Sequence, residues 1–144
     1  MTHVPLGDLR ALENELAERD VAALLIEPVQ GKGIRFPTND YFSGAQAVCR
    51  HFGTLLICDE VQTGLGRTGR WFGFEHWDLE PDIVTLAKTL SGGYVPCGAV
   101  VTRRSIHQAL FSRMDRCIVH STTFGRNNLA AAAGLAALQV IEDE

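Results

Sequence analysis

Apolar and polar positions follow two kinds of pattern along the chain. Leu9, Leu12 and Leu16 recur at helical spacing, which predicts an amphipathic helix over residues 6–19. Short continuous apolar runs are typical of buried strands, and the chain has four of them. They cover residues 21–26, 55–58, 82–87 and 99–102.

Helices are predicted between and after these strands. One begins near residue 41, with Asn39 or Asp40 as its candidate cap, and ends near residue 51. Two more are expected over residues 105–111 and 127–143. Alternating strands and helices predict an α/β fold with a mostly parallel sheet flanked by helices.

Polar residues at the strand exits are the first candidates for function. Ligands of such sheets bind outside the carboxyl ends of the strands. Glu27, Asp59 and Lys88 follow the first, second and third predicted strands. We therefore expect the chemistry of this protein at these three positions.

Composition narrows the class of protein. The 144 residues suit one domain, and a net charge of −4 argues against a general nucleic-acid binder. The apolar runs are too short to cross a membrane, and the first residues do not resemble a signal peptide. The four cysteines form no C-x-x-C pair, so we expect no metal site or disulfide framework. A cytoplasmic protein with reduced thiols is predicted.

Lys88 and Asp59 together indicate a particular chemistry, although neither does so alone. Lys88 also fits a surface lysine before a flexible turn, and Asp59 also fits a helix cap or a loop contact. A lysine becomes nucleophilic near neutral pH when it is desolvated or lies beside another cation. Pyridoxal phosphate needs such an amine and also a carboxylate beside its ring nitrogen. Two neighbouring strand ends can bring this pair together.

Five motifs, in order along the chain, resemble the class III (ornithine- or omega-type) aminotransferases. They are Glu27-Pro-Val-Gln-Gly31, Asp59-Glu-Val-Gln-Thr-Gly-Leu-Gly-Arg-Thr-Gly69, Pro81-Asp-Ile-Val-Thr-Leu-Ala-Lys88, Leu90-Ser-Gly-Gly93 and Ser121-Thr-Thr-Phe-Gly125. The resemblance implies pyridoxal-phosphate-dependent transfer of an amino group from an amine or amino acid to a keto acid or aldehyde. It also implies a homodimer. Residues 1–144 would form the central part of the large domain of a fold-type I transferase, without the N-terminal segment and the C-terminal small domain.

The same resemblance implies a role for individual residues around the cofactor. Lys88 matches the lysine that forms the Schiff base and moves the substrate proton. Asp59 matches the carboxylate at the pyridine nitrogen. Val61 matches the apolar residue on one ring face, and Gln62 the side chain near the phenolic oxygen. Thr123 matches the threonine that binds the phosphate, from the partner subunit.

The resemblance assigns substrate contacts less specifically than cofactor contacts. Glu27 matches a family glutamate on the substrate side, although a structural loop contact fits it equally well. Lys32 stands where many relatives carry a glutamate that pairs with a substrate-binding arginine, so the usual dual-substrate switch is in doubt. Asn128 stands where many relatives have proline, which affects only the start of the last helix.

Two alternatives to transamination stay open from the sequence. An aminomutase, a racemase or a decarboxylase would use the same Lys88 and Asp59, because other residues select the bond that breaks. The isolated 144-residue chain is also compatible with a catalytically inactive fragment, since residues that complete the site in the family are outside it.

Overall fold

The sheet has four strands, and the first three are parallel. The structure, a computed structural model, describes residues 1–38 and 40–143. The strands lie side by side in chain order as β1 (Ala23–Ile26), β2 (Leu55–Asp59), β3 (Ile83–Leu86) and β4 (Ala99–Thr102). Within this sheet, β1 pairs with β2 and β2 with β3 in parallel, whereas β3 pairs with β4 antiparallel. The predicted α/β class with a mostly parallel sheet is confirmed.

Two helices near the N-terminus cover one side of the sheet. They are α1 (Leu9–Leu16) and α2 (Tyr41–Phe52). The side chains of Leu12 and Phe42 are buried, and they pack in one core cluster with Cys58 of β2. This cluster is the hydrophobic core, and it holds the sheet that carries the strand exits in place.

The helix ends differ slightly from the predicted ones because local caps set them. Asp8 caps α1 by accepting a hydrogen bond from Ala11 N–H (2.9 Å), so the helix begins later than residue 6. Asp40 occupies the N-cap position of α2 but makes no side-chain capping bond, and Asn39 lies outside the described residues. Gly53 ends α2 with φ = +76°, a conformation that glycine adopts without strain.

Two further helices follow the sheet, α3 (Arg104–Leu110) and α4 (Asn128–Asp143). α4 packs on the short 3₁₀ helix Lys88–Ser91. Gly134 lies at this contact, and a Cβ there would lie 3.4 Å from the carbonyl oxygen of Leu90, which is close to ordinary contact distance. The last helix thus supports the turn that begins with Lys88.

Three short 3₁₀ helices were not predicted from the sequence. They are Gly73–Trp77, Lys88–Ser91 and Met114–Arg116. Single 3₁₀ turns are too short to produce a periodic apolar pattern, which explains why they escape sequence analysis. Over residues 1–38 and 40–143, no helix has both the length and the apolar character to cross a membrane.

Candidate functional site

The carboxyl ends of β1, β2 and β3 meet at one edge of the sheet. Ile26 of β1 pairs with Cys58 of β2, and Asp59 pairs with Thr85 of β3. Glu27, Asp59 and Lys88 follow these ends, so the three strand-exit residues lie along the same edge, as the parallel topology predicts.

Lys88 begins a 3₁₀ helix in a backbone conformation that side-chain-bearing residues seldom adopt. Its φ is +49°. The amine Nζ donates a hydrogen bond to Oε1 of Gln62 at 2.5 Å. The residue is exposed, so the described residues of this chain do not desolvate its amine. Any desolvation of this amine must therefore come from atoms that cover the sheet edge.

Asp59 is held firmly through one of its two carboxylate oxygens. Oδ1 accepts hydrogen bonds from Val61 N–H and from the Thr85 hydroxyl, both at 3.0 Å. Within the described part of the chain, Oδ2 has no hydrogen-bond partner. The side chain is half-buried. One oxygen thus fixes the carboxylate to the sheet, and the other is available to accept a hydrogen bond from a protonated nitrogen.

Val61 and Gln62 open a glycine-rich loop that spans residues 61–72. The loop closes on itself, because Leu65 N–H donates to the carbonyl of Trp71 at 2.6 Å. Val61 is half-buried beside Asp59, and Gln62 is exposed and reaches Lys88. The loop therefore brings an apolar side chain and an amide to the strand exits.

Glu27 uses its carboxylate for a contact within its own loop. Oε2 accepts a hydrogen bond from Gly31 N–H at 2.8 Å. A Cβ built on Gly31 would lie 3.5 Å from this oxygen and 3.6 Å from Oε1 of Gln62. Glu27 and Gln62 thus face the same small space, and the loop contact considered for Glu27 is present.

Comparison with known proteins gives the family of this chain. Residues 3–144 match the family model of the class-III aminotransferases. The chain belongs to this family. The Serratia sp. (strain ATCC 39006) aminotransferase PigE is 45% identical over 142 residues, which cover 98% of this chain and 17% of PigE.

Solved aminotransferase structures share the fold. The Toxoplasma gondii ornithine aminotransferase is 41% identical with a TM-score of 0.90, over 97% of this chain and 32% of that one. Pyridoxal phosphate partly occupies its active site. The Elizabethkingia anophelis acetylornithine aminotransferase is 39% identical with a TM-score of 0.89, over 99% of this chain and 35% of that one. The class III aminotransferase chain described here thus spans about a third of these two proteins.

Thr123 lies in the segment between α3 and α4. It is exposed in a turn where Gly125 N–H donates to the carbonyl of Thr122 at 3.1 Å. Among residues 1–38 and 40–143, no hydrogen bond joins it to Asp59, Gln62 or Lys88. This aminotransferase chain therefore joins Lys88 to Gln62 and Asp59 to Val61 by hydrogen bonds, and its described residues form no such bond from Thr123 to them.

Glu60 is a residue of the site region that sequence analysis missed. Only 2% of it is exposed, and its carboxylate accepts three hydrogen bonds from the glycine-rich loop and the segment that follows. Its negative charge adds to burial in raising the pKa of Cys58 to about 12. Glu60 directly follows β2, in which Leu56 and Cys58 are buried and Asp59 is less buried. The continuous apolar run over residues 55–58 carries no alternating pattern that would predict the burial of Glu60.

The donor set at the sheet edge fits pyridoxal phosphate. The free oxygen of Asp59 suits a protonated ring nitrogen, and the amine of Lys88 suits a carbonyl carbon. Gln62 can donate to a phenolic oxygen through the amide nitrogen that its bond to Lys88 leaves free. Gln62 is hydrogen-bonded to Lys88, and Asp59 ends the neighbouring strand, so these polar groups all belong to the strand exits at this edge.

Proposed function

We propose that the natural protein containing this chain is a pyridoxal-phosphate-dependent transaminase. It would take an amino group from an amine or amino acid and pass it to a keto acid or aldehyde. The observation that carries this proposal is the placement of the Lys88 amine and the Asp59 carboxylate at neighbouring ends of parallel strands. Family membership over residues 3–144 supports the same reaction class.

Asp59 is proposed to hold the ring nitrogen in its protonated form. When bound, pyridoxal phosphate supplies an electron sink that stabilises negative charge on the substrate carbon. Oδ1 of Asp59 is already fixed by Val61 N–H and the Thr85 hydroxyl, so the carboxylate keeps its orientation. Oδ2 would then accept a hydrogen bond from the ring N–H. This keeps the ring nitrogen protonated, as its role as an electron acceptor requires.

Lys88 is proposed to hold the cofactor covalently and then to move a proton. Once a substrate amine takes the place of the Lys88 amine on the cofactor, Nζ would be a free base. It would then remove a proton from the substrate carbon and return it at another atom. Gln62 orients this amine through its 2.5 Å hydrogen bond. The proposal needs water to be excluded around Nζ, because the amine is exposed in this chain alone.

The remaining contacts complete the proposed site. Val61 packs on one face of the ring, and Glu27 lies on the substrate side. Thr123 is exposed, which suits a hydroxyl that binds the phosphate held by a second copy of the protein. We further propose a homodimer in the cytoplasm, in which residues 1–144 form part of the cofactor-binding large domain.

The decisive experiment is to locate the lysine that binds the cofactor. The natural protein is loaded with pyridoxal phosphate, reduced with borohydride and digested, and the modified peptide is identified by mass spectrometry. We expect the label on Lys88 and none on Lys32, the second lysine of this chain. A label on any residue other than Lys88 contradicts the proposed site.

Single half-reactions separate transamination from the related reactions. A transaminase converts the bound cofactor to its amine form with one equivalent of amino donor, and it needs a keto acid or aldehyde to turn over again. An aminomutase, racemase or decarboxylase turns over without an added acceptor. Sustained turnover of a single amine substrate in the absence of any acceptor contradicts the proposed reaction.

A further inference from the structure

Glu60 is a buried carboxylate whose charge is balanced by hydrogen bonds alone. Oε2 accepts from the Thr63 hydroxyl at 2.6 Å and from Gly73 N–H at 2.9 Å. Oε1 accepts from Phe74 N–H at 2.8 Å. None of the ion pairs among the described residues involves Glu60. Burial of a charge is costly, so this arrangement is stable only while all three donors stay in place.

These three donors stand at the two ends of the glycine-rich loop. Thr63 lies in its first turn, whereas Gly73 and Phe74 follow its last residue. The packing is tight, since a Cβ on Gly73 would lie 2.8 Å from Cβ of Thr63. The carboxylate of Glu60 therefore fastens the start of the loop to its end.

Gln62 lies within the first turn that Glu60 fastens. It precedes Thr63 directly, and its Oε1 accepts the hydrogen bond from Lys88 Nζ. Gln62 is exposed, so packing does little to fix its side chain. The backbone of the loop must set the direction in which this amide points.

We propose that Glu60 is a positioning residue that holds Gln62 against the amine of Lys88. The proposal deepens the proposed function, on which its catalytic meaning rests, because Lys88 is the reactive group there. The contact itself exists without cofactor. Glu60 touches neither Lys88 nor Gln62 by a hydrogen bond, and it acts through the loop.

Replacing Glu60 with glutamine disturbs this arrangement with little change of shape. One carboxylate oxygen becomes an NH₂ group, which cannot accept from a backbone N–H. Either Gly73 N–H or Phe74 N–H then loses its buried acceptor, and the loop end must shift. In E60Q the amide of Gln62 is no longer held against Lys88.

Competitive acetylation of the two lysines measures this change without cofactor or catalysis. The natural protein, freed of cofactor, is treated with limiting acetic anhydride, and acetylation of Lys88 is divided by that of exposed Lys32. A hydrogen bond from the ammonium group to Gln62 protects Lys88, so its loss exposes more reactive amine. We expect this ratio to rise between about two- and tenfold in Q62A and in E60Q.

The double variant tests whether Glu60 acts through Gln62. If it does, E60Q adds nothing to the ratio once Gln62 is already alanine. E75Q is the matched control, because the carboxylate of Glu75 accepts only one long hydrogen bond, from Phe72 N–H at 3.4 Å, so this variant should leave the ratio unchanged. T63V removes one donor at constant shape and should give a smaller rise, which keeps the test usable if E60Q folds poorly.

Three outcomes overturn the proposal. The first is an unchanged acetylation ratio in folded E60Q, or in T63V if E60Q does not fold. The second is an unchanged ratio in Q62A. The third is an additive rise of the ratio in the double variant. A cofactor label on a residue other than Lys88 would overturn the proposed function, but it would not alter these acetylation ratios. The two proposals therefore fail separately.

Discussion

Buried thiols next to the site make the stability of this chain sensitive to alkaline pH. Burial, reinforced by the charge of Asp82, raises the pKa of Cys49 to about 11. Burial, reinforced by Glu60, raises the pKa of Cys58 to about 12. A cysteine thiol in the unfolded chain ionises at about pH 8.5. Above that pH the folded state therefore retains thiol protons that the unfolded state releases.

The free energy of unfolding should therefore fall as pH rises from about 8.5 towards these raised pKa values. Each thiol contributes up to about 1.4 kcal/mol per pH unit in that window and nothing below it. Urea denaturation of the natural protein between about pH 7.5 and 10.5 measures the slope. Cys58→Ala is the control, since it removes one thiol, and equal alkaline slopes in both proteins would refute this explanation.

At the residue scale, the polar residues at the strand exits were predictable from the sequence. The hydrogen bonds that hold the neighbouring glycine-rich loop in place were not. Glu27, Asp59 and Lys88 follow apolar runs, and a parallel sheet puts such positions on one edge. Glu60 was missed because charged residues are seldom fully buried. The hydrogen bond between Lys88 and Gln62 depends on the path of a glycine-rich loop, which the sequence pattern does not fix.

At the scale of elements, the contact between α4 and the Lys88 turn offers a direct test. Gly134 faces the carbonyl oxygen of Leu90, with 3.4 Å between that oxygen and the position of an added Cβ. Gly134→Ala should be tolerated, because this is close to contact distance and alanine favours helix by about 1 kcal/mol. Gly134→Leu should push the helix off the turn.

The two variants should differ both in stability and in cofactor binding. Gly134→Leu should lower the free energy of unfolding by roughly 1–3 kcal/mol and weaken cofactor binding, whereas Gly134→Ala should do neither. Denaturation and titration with pyridoxal phosphate measure the two effects in the natural protein. Equal cofactor affinity in both variants would show that α4 does not support the Lys88 turn.

Element types were predictable because the first helix has apolar residues at helical spacing and the strands are continuous apolar runs, whereas element ends depend on single contacts. Residues 99–102 were predicted as a strand and form β4 unchanged. The first helix was predicted over residues 6–19 but covers only Leu9–Leu16, since the Asp8 cap starts it late. The 3₁₀ turn at Lys88 is too short for such a signal, although it places the proposed reactive amine.

At the scale of the whole molecule, large apolar side chains stand on the surface of this chain. Those at least 60% exposed after residue 90 are Tyr94, Val100, Met114, Ile118, Phe124, Leu129 and Leu135. Several lie on the edge strand β4, on α4 and in the segment between α3 and α4. This many exposed large apolar side chains indicate surface that other parts of a protein or a partner cover.

Residues 1–144 alone should therefore associate rather than stay monomeric. The unpaired edge of β4 adds hydrogen-bonding groups to the exposed Val100 and Val101, which favours pairing between chains. Light scattering during size-exclusion chromatography should give a mass well above the 15.8 kDa of one chain.

The same preparation tests whether the sheet edge suffices for the cofactor. Lys88 and Thr123 are both exposed here, so this chain alone does not enclose the proposed cofactor site. We expect pyridoxal phosphate to give no saturable visible absorbance with this chain, whereas the natural protein gives one at Lys88. Charged substitutions in β4, V100K together with V101E, control for aggregation by restoring solubility. A monomeric chain that binds the cofactor saturably would show that residues 1–144 already contain a complete site.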